Sequence, residues 1–139
     1  MFESAFERHV KDLARRSDLK VANLSSKSAK LLFTVNGHSQ PLYIIPYDNV
    51  WEFSCPSILV VDNASEIPAA ILIFVLKENS KAKRGFWCIE DIQGKSVLEY
   101  MHNMPENLIT SDEFYQVSWG IVKQVEALEE VLRELARRR

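Results

Sequence analysis

The chain has 139 residues, with 17 lysines and arginines against 19 aspartates and glutamates, a formal charge of −2, and 47% hydrophobic and 26% charged residues. That length suits one domain with one core, and the balanced charge with four glycines and five prolines excludes disordered, fibrous and strongly polyanion-seeking classes. Two cysteines, Cys55 and Cys88, are too few for a disulfide framework. The acidic start lacks the order of a signal peptide, and no apolar run approaches the ~20 residues that span a bilayer. The expectation is a single domain over residues 1–139, soluble and cytoplasmic, with reduced thiols.

Phe2, Phe6, Val10 and Leu13 recur at steps of three and four, with Glu3 and Glu7 ahead of Lys11, Arg15 and Arg16. This predicts an amphipathic first helix whose charges oppose its dipole. Leu19, Val21 and Leu24 then open the strand region. Residues 30–35 and 42–45 are rich in strand formers on either side of Asn36-Gly37, the dipeptide of a type I′ hairpin. The next turn is expected at residues 46–49, followed by a half-buried strand at 50–54, which Pro56 breaks or bends before residues 58–61.

Residues 62–68 predict the start of a second helix, with Ser65 as N-cap and Pro68 in the first turn. Its body, 69–76, is apolar almost all round. At 100° per residue, Ile67, Ile71, Phe74 and Val75 gather on one side and Ala69, Leu72, Ile73 and Leu76 on the other. Such a helix needs two covers: the sheet for one, and either the last helix or a second copy of the chain for the other. A basic connector, 77–84, leads into strands at 86–90 and 96–101 around a hairpin turn at 91–95. Thr110 with Glu113 forms a capping box, and Ile109 with Phe114 a hydrophobic staple. From there Phe114, Val117, Ile121, Val125, Leu128, Leu132 and Leu135 trace one stripe of a long final helix. The sum is an α+β fold: a twisted antiparallel sheet packed with an N-terminal helix, an apolar middle helix and a long C-terminal helix, its strand order left open.

The end of the middle helix at 76–80, the run Gly85, Phe86, Trp87, Cys88, Ile89 and Glu90, the strand at 97–100 and the helix capped at Thr110 resemble the YbjN-type domain. The resemblance covers roughly residues 57–135. It implies a type III secretion chaperone-like fold, in which two copies commonly form a dimer, and a regulatory or accessory role.

No catalytic motif stands out, and neither cofactor nor metal is expected. Three histidines lie at no ligand spacing, and a zinc site would require His38 or His102 with Cys55 and Cys88. Glu90, Asp91 and Glu99 place carboxylates around the last hairpin with no nucleophile or base beside them. The leading expectation is a non-enzymatic binding or chaperone-like accessory module that forms a homodimer through Ala69, Leu72, Ile73 and Leu76 and holds an unidentified protein partner. The alternative is a nucleic-acid or anion-binding regulator using Lys77, Lys81, Lys83 and Arg84. Nucleic acid is the less favoured partner, and no membrane role is expected.

Overall fold

The computed structural model describes residues 2–138. The elements run α1 (Ala5–Ser17), β1 (Val21–Leu24), β2 (Ala29–Val35), β3 (His38–Tyr47), β4 (Val50–Val61), α2 (Ala69–Lys81), β5 (Phe86–Ile92), β6 (Lys95–Pro105) and α3 (Ser111–Arg137). All six strands form one antiparallel sheet in the order β1-β2-β3-β4-β6-β5. The expected α+β architecture is present. The crossover from β4 through α2 to β5 leaves room for β6 to insert between them, a placement that element order alone does not specify.

The alternation of side chains along paired strands divides the sheet into two unlike faces. One face carries Leu31, Phe33, Leu42, Ile44, Trp51, Phe53, Leu98, Tyr100 and Trp87, all in the core. The long helix α3 lies across this face, with Phe114 against Phe53 and Trp119 against Phe33 at ring separations of 5.9 and 4.7 Å. Phe6 of α1 meets Trp51 edge-on at 5.0 Å, and α2 packs beside β5 and adds Ile71 and Val75 to the same core. On the other face, Val97 and Met101 are buried but stand apart from that core, among Glu52, Ser54, Cys88, Glu90 and Glu99.

Several boundaries differ from expectation, each for a local reason. Helix α1 starts at Ala5, because Ser4 and Glu7 close a reciprocal capping box; Phe2 is outside the helix and 100% exposed. Strand β3 runs through Pro46 and Tyr47, and the turn narrows to Asp48 and Asn49. The last hairpin likewise turns on Gln93 and Gly94, both with positive φ, rather than on five residues. Ser65 is not an α-helical N-cap. Asn63 caps a short 3-10 turn at Ala64–Glu66, and α2 begins after Pro68, whose extended backbone makes it the N-cap residue. At the far end α2 continues through Lys81, so five of the eight residues of the expected connector are helix.

Pro56 does not end β4; the strand continues with a register shift against β6 between Pro56 and Val60. The Ile58 N–H at this irregularity donates to the Glu129 carboxylate of α3 at 2.9 Å, and the Gln40 amide donates to the same residue at 2.7 Å. Neighbouring Glu126 accepts from Arg133 at 2.5 Å and pairs with His38 at 3.0 Å. Two glutamates are thus buried beside the apolar stripe of α3, each satisfied by named partners. Leu135, assigned to that stripe, is exposed.

Candidate functional site

The two sides of α2 fare differently. Ile67, Ile71 and Val75 are buried and Phe74 is half-buried, whereas Ile73 and Leu76 are 55% and 66% exposed, Ala69 is exposed and Leu72 half-buried. The sheet therefore takes up one side only. Helix α3 lies over β2, β3, β4 and β6 rather than over the outer side of α2, so among the described residues the second cover is not supplied.

The four basic residues expected to act together are divided between helix and connector, and three of them, Lys81, Lys83 and Arg84, line one cleft. Lys77 and Lys81 belong to the last turns of α2, and Lys81 pairs with Glu78 at 3.7 Å. Lys83 and Arg84 occupy the short connector, which is held at several points. The Tyr100 hydroxyl donates to the Arg84 carbonyl at 2.8 Å, and the Arg84 guanidinium pairs with Glu113 of α3 at 2.8 Å. Asn79 donates to the Trp87 carbonyl and accepts from its N–H at 3.1 and 2.6 Å, which ties α2 to β5. Thr110 caps α3 as expected, but the Glu113 side chain is spent on Arg84 instead of closing the reciprocal half of the box.

Glu90 and Glu99 share the sheet face away from the helices, joined there by Glu52, while Asp91 falls on the opposite side and accepts from Ser96. Glu99 is only 2% exposed. Burial first, then Glu90 and Glu52, pushes its carboxyl up to about 9, so it carries a proton at neutral pH. Burial and the same carboxylates push the neighbouring Cys88 thiol up to about 12, and burial raises Cys55 as well. Both are far from the low-pKa setting of a nucleophilic thiolate. Among the described residues no three histidine, cysteine or acidic side chains gather as a metal site, and no helix is long and apolar enough to cross a membrane. Cys55 and His102 lie on the helix-bearing face and Cys88 on the other, so the zinc set considered from sequence is not assembled.

A cleft of about 380 Å³ opens between the connector and α3, with Tyr100 and His102 of β6 at its floor. Tyr115, Trp119 and Lys123 of α3 face Lys81, Lys83 and Arg84 across it. Nothing in the sequence joined these two groups, which lie some thirty to forty positions apart; only their steps of four along one helix hinted at a common face.

No family model and no curated protein matches the sequence. Among solved structures, a chain of the HopA1–SchA chaperone–effector complex superposes with a TM-score of 0.62, at 8% identity, covering 90% of this chain and 93% of that one. The crystal structure of YbjN from E. coli superposes with a TM-score of 0.61, at 11% identity, covering 93% of this chain and 90% of YbjN. At such identities the likeness is one of fold, and the fold is the YbjN-type, type III secretion chaperone-like one that residues 57–135 resemble. It extends over the first half of the chain as well, where the sequence supplied only a compatible order of elements.

Proposed function

We propose that the chain is a non-enzymatic binding module that works as a homodimer, paired through the outer side of α2, and holds a protein partner. The observation that carries the reading is the stripe of Ala69, Leu72, Ile73 and Leu76 on a helix whose opposite side is already spent on the core. A single exposed leucine is ordinary, but a stripe of aliphatic side chains along one helix favours an interface. A twofold axis beside α2 brings the stripe onto its own copy with no further element needed.

The likeness in fold to a chain of a chaperone–effector complex supports the second half of the reading, a protein as partner. Strand addition is one route for it. The outward N–H and C=O of Trp87 on β5 are taken by Asn79, which leaves β1 as the more available edge. The carboxylates around the last hairpin lack the nucleophile and positioned base that an enzyme would require, and both thiols are held protonated.

The test is sedimentation velocity on the wild type beside Ile73→Glu and Leu76→Glu. Dimers that become monomers with unchanged circular dichroism support the pairing; a wild type that sediments as a monomer at about 100 μM, weaker than most specific dimers, refutes it.

A further inference from the structure

The cleft between the connector and α3 has no part in that reading, and its chemistry is specific. Four cations line it, Lys81, Lys83, Arg84 and Lys123, and no carboxylate does, in a chain with two more acids than bases. Arg84 and Lys81 are engaged with Glu113 and Glu78 just outside. Lys83 makes no ion pair among the described residues, and Lys123 makes none either; its ammonium sits 5.7 Å from the centre of the Trp119 ring. Two cations that line one cleft are thus left without a carboxylate partner among the described residues.

The walls are built rather than loose. Gly85 has φ +78°, and a Cβ there would stand 2.8 Å from the Met101 carbonyl and closer still to the Tyr100 ring, so only glycine lets the connector press onto β6. That approach lets the Tyr100 hydroxyl donate to the Arg84 carbonyl, which pins the connector one residue after Lys83. Across the cleft, Gly120 lies in the interior of α3, where glycine costs about 1 kcal/mol relative to alanine. A Cβ at Gly120 would touch nothing. No packing demand explains it, and its effect is to keep the α3 wall open between Gln116 and Lys123. Tyr115 is 41% exposed, and Trp119 is half-buried, leaving aromatic surface beside the free lysines.

We infer that this cleft binds a phosphate ester carried on a nucleobase, a ligand of nucleoside-monophosphate size, with the phosphate between Lys83 and Lys123 and the base against Trp119 and Tyr115. The volume lies within the range of small-molecule sites. Base–aromatic stacking is worth about 1–3 kcal/mol, and Gln116 and Gln124 supply amides for the base edge.

The experiment is an NMR titration of the whole chain with AMP, GMP, CMP and UMP, following the Trp119 indole and the Gly120 amide. Adenosine, inorganic phosphate and a single-stranded octanucleotide run in parallel. Saturable shifts with at least one monophosphate, weakened about tenfold or more when either the base or the phosphate is removed, support the site. Lys83→Ala with Lys123→Ala should weaken binding at least about tenfold, and Gly120→Leu, which fills the cleft from an open position, should abolish it. No shift with any monophosphate at about 10 mM overturns the inference. So does binding that survives the double lysine variant, binding of adenosine as tight as AMP, or binding of the octanucleotide alone.

Discussion

Replacing Glu99 by glutamine tests the electrostatics of the open sheet face. In the folded chain Glu99 keeps its proton to about pH 9, because it is buried and faces Glu90 and Glu52; in the unfolded chain it releases the proton near the ordinary value of 4.5. Between those limits the folded state binds one proton more than the unfolded state, so stability falls as pH rises. The contribution is intact below about pH 4.5 and fully lost above about pH 9. The ceiling is about 1.4 kcal/mol per pH unit, which makes the loss between pH 5 and pH 7 on the order of 2 kcal/mol. Glutamine has nearly the shape of the protonated acid and cannot ionise. Glu99→Gln should therefore match the wild type near pH 5 and exceed it by on the order of 2 kcal/mol at pH 7 in urea unfolding followed by circular dichroism. Glu90→Gln should flatten the wild-type slope in part, since it removes the nearest like charge. Equal slopes for wild type and Glu99→Gln from pH 5 to 8 would refute the account.

Other changes probe single contacts. Gly120→Ala should stabilise the chain by about 1 kcal/mol in thermal or urea unfolding, because helix propensity rises while the new methyl meets nothing. Gly85→Ala should do the opposite and cost about 2 kcal/mol or more, from its left-handed backbone and the close Met101 carbonyl; an unchanged midpoint would remove the reason given for that glycine. Asn79→Ala strips both outward hydrogen bonds from Trp87, with an expected loss of about 1–3 kcal/mol and faster amide exchange at Trp87.

Much of the fold was legible because it is encoded locally. Asn36-Gly37 makes its turn with both φ values positive, Thr110 caps α3, and the stripe from Phe114 to Leu132 packs on the sheet, since turn geometry and helix period are properties of a few adjacent residues. Boundaries differ where one residue's local signal was outweighed by a neighbour or by a distant partner. Ser65 read as the cap of the second helix, but the structure uses Asn63, whose side chain closes a 3-10 turn with Glu66. Pro56 read as a break or a bend, and β4 continues past it through a register shift, where Glu129, more than seventy positions away, accepts the Ile58 N–H.

The sequence by itself determined the elements, the α+β class and the two-sided apolar character of the middle helix, all set by periodicity and composition. Tertiary structure decided which side of that helix is covered, because coverage depends on β6 inserting between β4 and β5 and on α3 lying over the sheet rather than over α2. It also decided that Lys83 and Lys123 face one cleft and that Glu99 meets Glu90 and Glu52. Contacts of that kind join residues distant in the chain, and only packing brings them within reach.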